Sequence, residues 1–161
     1  MLTWLESTKF AVWLAESGSV WAFPMVLTLH TTGMAVLVGA SWMLDLRLLG
    51  FNRRIPLSAY RWVFPAVGIG LLVNVVTGVM LFMKRATTWG TAIPFFVKMF
   101  LVIASAATLL PLRSHVLRNG ADNEDNEAGG KLRNLRLWAI ASILAWTGAV
   151  TAGRLLAYLV P

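Results

Sequence analysis

Two histidines, seven methionines and no cysteine set the limits of the chemistry open to this 161-residue chain. Without cysteine there is no disulfide, no thiolate metal site and no thiol nucleophile. Imidazole and thioether remain, and that pairing suits a soft metal such as Cu(I). His30 and Met34 are four residues apart and share a helical face. Met80 is the third donor of this candidate metal set. Methionine also fills gaps in apolar cores, and here it is scattered along the chain at Met25, Met34, Met43, Met80, Met83 and Met99. A haem held by two histidines of one chain is excluded. At 1.5 Å per residue His30 lies about 25 Å from the Arg47 end of its segment, and His115 belongs to that same end. His30 with a methionine such as Met80 stays open as a haem ligand pair.

A second group of residues converges by depth. His30, Asn74, Thr77, Lys98 and Arg154 interrupt long apolar runs. Counted inward from one side of the membrane, they lie roughly 8–14 Å deep. An ionisable side chain at such depth is costly and marks a functional site by default. Asn74 and Thr77 share a helical stripe with Gly70 and Gly78, Lys98 aligns with Val102 and Ser105, and Arg154 aligns with Thr147, Thr151 and Tyr158. These stripes are expected to face the interior. Small and hydroxyl residues on a span also serve helix packing, and Lys98 and Arg154 are shallow enough to snorkel. With no acidic residue inside the runs, the five residues would form a basic, polar pocket. It would suit an anionic or carbonyl-bearing ligand: a quinone headgroup, a haem propionate or a lipid headgroup. Only Glu6 and Glu16 could fold over it as counter-ions. No phosphate loop, dinucleotide fingerprint or zinc-protease helix is present, and no general-base pair is visible, so the chain reads as non-catalytic.

The elements that must position these residues follow from composition. Hydrophobic residues make up 58% of the chain and charged residues 13%, about half the usual quota of a soluble domain. Mean hydropathy is +0.70. Four runs carry this excess: 21–44, 62–83, 93–112 and 137–160. Each is long enough to cross a hydrocarbon core of about 30 Å as a helix, and a spanning segment must satisfy its backbone internally. Residues 2–17 mix Trp4, Phe10 and Trp13 with Glu6, Lys9 and Glu16, the pattern of an amphipathic helix lying in the interface. The expected fold is therefore all-α, one domain over 1–161: an integral membrane four-helix bundle with a short N-terminal interfacial helix. The stretch 119–130, rich in Asn, Asp, Glu and Gly, is expected to be a mobile loop.

The net charge of +7 is divided unevenly. Arg47, Arg53, Arg54 and Arg61 lie in the first connection, and Arg113, Arg118, Lys131, Arg133 and Arg136 in the third. The positive-inside rule then puts both connections in the cytoplasm and both termini on the outer side. The basic residues flank spans and do not form a stripe with stacking aromatics, so nucleic acid is not an expected partner.

Several strings resemble a family of small, mostly uncharacterised bacterial membrane proteins, similar in plan to CopD-type copper-resistance proteins. They are Ser19-Val20-Trp21-Ala22-Phe23-Pro24, Thr28-Leu29-His30-Thr31-Thr32-Gly33, Asp45-Leu46-Arg47-Leu48-Leu49-Gly50, Thr77-Gly78-Val79-Met80-Leu81-Phe82 and Ile93-Pro94-Phe95-Phe96-Val97-Lys98. The resemblance runs from Ser19 to Leu112 and implies a four- or five-helix bundle with His30 and Lys98 as family-type positions. It also implies copper handling, although the acidic residue usual near the histidine is Leu27 here. The expectation that results is a protein of the bacterial inner membrane, an accessory or anchoring subunit partnered by lipid and by other membrane subunits or copies of itself. Copper transport or handling through His30, Met34 and Met80 is the alternative.

Overall fold

The computed structural model describes residues 2–118 and 129–159. The expected mobile loop at 119–130 therefore falls largely outside the described residues. Helices are the only regular elements among those residues, joined by short turns, and no strand occurs among them. Two short helices, α1 (Leu2–Glu6) and α2 (Lys9–Glu16), precede the long helices α3 (Phe23–Leu49) and α4 (Val63–Lys84). A four-residue helix, α5 (Ala86–Trp89), links α4 to α6 (Ile93–Arg118), and α7 (Gly129–Leu159) ends the chain's described part. A 3₁₀ turn, Leu57–Tyr60, leads into α4. Four helices are long and apolar enough to cross a membrane. Only 17–33% of each spanning window is buried, so each helix turns one narrow stripe inward and leaves the rest exposed. The protein is an all-α, multi-pass membrane bundle.

The helices pack in the order α4, α3, α7, α6: α3 lies most closely on α4, α6 on α7, and α3 joins the two hairpins through α7. The α3–α4 crossing is built on glycine. A Cβ at Gly70 would lie 3.0 Å from the Gly33 carbonyl and from Leu37, and one at Gly33 would lie 2.9 Å from Asn74 Nδ2 and Val73. Small residues at a crossing let backbones approach where lipid supplies no hydrophobic drive between helices. The ends of α4 and α6 meet through Phe82 and Phe95, stacked 5.0 Å apart. The main core joins Leu37, Leu44, Leu48, Val63, Leu112 and Trp146.

The apolar run of α3 fades at Leu44, but the helix does not stop there. It ends at Gly50, with φ of 106°. The Gly50 amide bonds to the Arg47 carbonyl and the Phe51 amide to the Leu46 carbonyl, a Schellman closure. Asp45, read from the sequence as the start of a loop, is thus inside the helix and fully buried.

At the opposite face, which holds the start of α3 and the end of α7, residues 2–17 form two helices instead of one. Ser7 Oγ donates to the Trp4 carbonyl (2.9 Å) and Thr8 Oγ1 to the Leu5 carbonyl (2.8 Å). Thr8 Oγ1 also accepts from the Ala11 amide (3.3 Å) and so caps α2. Leu14 of α2 is buried with Ala22, Val26 and Leu81, while Trp4, Phe10 and Trp13 stay exposed.

Candidate functional site

Four helices bring chemistry to one level near this terminal face. His30 is seven residues into α3 and Thr77 seven from the end of α4, about 10 Å each. Lys98 is five residues into α6 and Gly153 six from the end of α7, about 8–9 Å. The close α3–α4 crossing puts Thr77 beside His30, and Nδ1 lies 2.8 Å from Thr77 Oγ1. The threonine hydroxyl has one proton, and it donates to the Val73 carbonyl at 2.6 Å. With that proton so used, Oγ1 accepts from His30, which assigns the ring proton to Nδ1, and no hydrogen bond with a described residue engages Nε2. The Asn74 carbonyl also lies beside the imidazole. The Asn74 amide turns back to the Gly70 carbonyl at 3.2 Å.

Lys98 is half-buried and its chain runs along Gly153, with Nζ 3.6 Å from where a Cβ would stand. Its charge acts on the His30 ring. No carboxylate among the described residues offsets it. Glu6 does not reach it: its carboxylate accepts from the Thr87 amide (2.8 Å) and hydroxyl (2.6 Å), tying α1 to α5. Those two bonds, the hydroxyl's first, hold the Glu6 carboxyl below its ordinary range. Lys84 is likewise engaged, 3.6 Å above the Phe23 ring.

Of the five residues expected to converge, His30, Asn74, Thr77 and Lys98 come together. Arg154 does not. It is exposed, as are Thr147, Thr151 and Tyr158, and both threonine hydroxyls bond to their own helix. The stripe expected to face inward on α7 faces lipid, and the adjacent one through Trp146, Ala149, Ala152 and Leu156 is buried in its place. Met34 packs against the main core and Met80 against the terminal-face cluster around Leu14 and Val26, so each fills a gap in a separate apolar cluster. No group of three or more His, Asp or Glu gathers among the described residues.

Sequence reading missed a second polar locus, toward the opposite face. Asp45 and Ser142 have no exposed surface and Trp146 has 1%. Both Asp45 oxygens, Ser142 Oγ and Trp146 Nε1 lack hydrogen-bond partners. The signal was available: Gly50 is a helix stop five residues beyond Asp45, and Leu37, Ser41, Leu44, Asp45 and Leu48 continue one stripe.

Fold and site together define a multi-pass helical membrane protein with a histidine–threonine pair and an unneutralised lysine near one face. No protein-family model matches the chain, and no curated protein or solved structure does.

Proposed function

We propose that the protein is a non-catalytic accessory or anchoring subunit of a bacterial inner-membrane assembly, and that His30 and Lys98 hold a quinone or quinol headgroup. One observation carries this reading: an imidazole held by Thr77 through Nδ1 stands near a cation that no carboxylate among the described residues offsets. Lys98 is a donor for a quinone carbonyl, and Nε2 is an acceptor for a quinol hydroxyl. Asn74 and Thr77 hold the imidazole in that tautomer. Arg154, exposed at the same depth, serves a lipid headgroup and not this ligand. The exposed Arg53, Arg54, Arg61, Arg113 and Arg133 lie at the face opposite the termini, which makes that face cytoplasmic.

The test is binding of a short-chain quinone to the purified protein in micelles, followed by quenching of tryptophan fluorescence. Saturable quenching is expected, weakened about tenfold or more in Lys98→Gln, as for a hydrogen bond from a charged donor. Quenching that does not saturate, or that ignores the substitution, overturns the assignment. A native-membrane extract in which the protein migrates as a free monomer overturns the subunit role.

Copper handling is a second reading, favoured by the same His30 geometry. A ligating histidine is characteristically fixed through its other nitrogen, and Thr77 does this at Nδ1. Competition of the protein with a Cu(I) chelator decides it. Retention of copper that Met34→Leu and Met80→Leu abolish would favour this reading over the quinone site.

A further inference from the structure

We propose that Asp45 and Ser142 form an internal monovalent-cation site, occupied by a proton or a sodium ion, between α3 and α7 toward the cytoplasmic face. Asp45 is completely buried and neither carboxylate oxygen has a hydrogen-bond partner. Ser142, equally buried, lies beside that carboxyl, and its Oγ forms no well-aligned hydrogen bond either. Trp146, one turn further along α7, adds an indole N–H that is buried and unpartnered. Ser41, one turn before Asp45 on α3, donates to the Leu37 carbonyl at 2.8 Å and keeps its lone pairs. Four polar atoms of three buried side chains, one on α3 and two on α7, are therefore left without partners, and Ser142 stands beside Asp45. Buried polar groups are ordinarily paired, and an uncompensated buried carboxylate is costly.

The surrounding groups do not supply the missing charge. Arg47, on α3 itself, donates to the Ile55 carbonyl at 2.7 Å and the Arg53 carbonyl at 3.3 Å, which clamps the 50–56 connection. Arg136 of α7, whose Nε is also buried without a hydrogen-bond partner, lies six residues before Ser142, about 9 Å along the axis, and forms no hydrogen bond with Asp45. On α6, Ser105 and Thr108 donate to carbonyls of their own helix, and His115 lies nearer its end. Tyr60 is buried in the 3₁₀ turn. Asp45 forms no ion pair with any described residue. A single carboxylate with hydroxyl neighbours balances one positive charge. It lacks the set of oxygen ligands and second carboxylate that a calcium ion would draw on.

Thermal unfolding of the full chain in micelles tests this along two arms: sodium against choline at constant ionic strength, and pH at fixed sodium. Above saturation the melting temperature should move by about 3–5 °C per tenfold change in the bound cation. Dependence on sodium that Asp45→Asn removes identifies a sodium site, and dependence on pH that Asp45→Asn removes identifies a proton site. Equal dependence in wild type and Asp45→Asn on both arms overturns the proposal. If Asp45→Asn fails to fold, Ser142→Ala carries the test. Its midpoint for the cation should shift about fivefold, the worth of one hydrogen bond, and an unshifted midpoint overturns the site.

Discussion

Replacing Thr77 by valine removes one hydroxyl and keeps the shape of the side chain, so it isolates the bond on which the His30 tautomer depends. In the native arrangement Thr77 Oγ1 accepts from Nδ1 at 2.8 Å and donates to the Val73 carbonyl at 2.6 Å. The back-bond to Val73 is dispensable, because that carbonyl keeps its helical partner. The Nδ1 proton is not, because the imidazole is half-buried and a stranded donor costs about 1–3 kcal/mol. The ring can recover part of this by turning to the Asn74 carbonyl or by moving its proton to Nε2. Either escape lowers the cost toward 0.5–1 kcal/mol, the net value of a typical hydrogen bond. The melting temperature of Thr77→Val should therefore fall by about 2–6 °C. Long-range proton–nitrogen correlation spectra of ¹⁵N-histidine report the tautomer directly, and the two histidines of the chain keep the spectrum simple. Wild-type His30 should show the proton on Nδ1, and Thr77→Val should show a mixture or a reversal. A wild-type spectrum with the proton on Nε2 would refute the reasoning, because the nitrogen said to face the ligand would then be a donor.

Three other outcomes are expected. Gly70→Ala should cost about 1–3 kcal/mol in thermal unfolding, as for overpacking, because its Cβ would meet the Gly33 carbonyl and Leu37 at 3.0 Å; Gly68→Ala, with nothing within 4 Å, should leave stability unchanged or slightly raised. The Glu6 carboxyl is held below its ordinary range by Thr87, so the tie between α1 and α5 is present above the ordinary carboxylate pKa and lost as pH falls through the depressed value. The protection factor of the Thr87 amide should fall across that acid window and be low at every pH in Glu6→Ala. The chain has no cysteine, so single cysteines at Gly18 and Asn52 report sidedness directly. A membrane-impermeant maleimide should label the first in intact cells and the second only after permeabilisation, and the opposite pattern would invert the proposed orientation.

The four spans were legible because their apolar runs are long and uncharged, a signal that needs no knowledge of packing. Depth was equally legible: residue counting along a regular helix placed His30, Thr77 and Lys98 within a few ångströms of one level. Azimuth was not. On α7 the exposed stripe carries Thr147, Thr151 and Arg154 and the buried one is Trp146, Ala149, Ala152 and Leu156, so polarity pointed to the wrong face. A soluble helix reveals its inner face by contrast with a polar outer face, and a membrane helix lacks that guide. Asp45 escaped for a different reason. Hydropathy locates where the apolar run fades, whereas the helix ends where Gly50 takes a left-handed conformation. The break between α1 and α2 rests on Ser7 and Thr8 bonding back to the preceding turn, and those residue types were visible within the stretch read as one helix.

The contrast between Lys98 and Arg154 bears on what Lys98 is for. Both are single cations at about the same depth in an otherwise apolar span. Arg154 needs no special account. It is exposed near the C-terminal end of α7, where a long basic side chain reaches headgroups. Lys98 lacks that advantage. It lies toward the N-terminal end of α6, and its chain turns inward along Gly153 instead of outward. Glu6, the nearest candidate for a counter-ion by sequence, is committed to Thr87. Helix packing does not require it either, since a shorter apolar side chain would fill the same contact with Gly153 without desolvating a charge. On the proposed reading the charge itself is used, near the His30 ring. A Lys98→Met protein that is more stable than wild type yet has lost quinone binding would be the signature of such a residue.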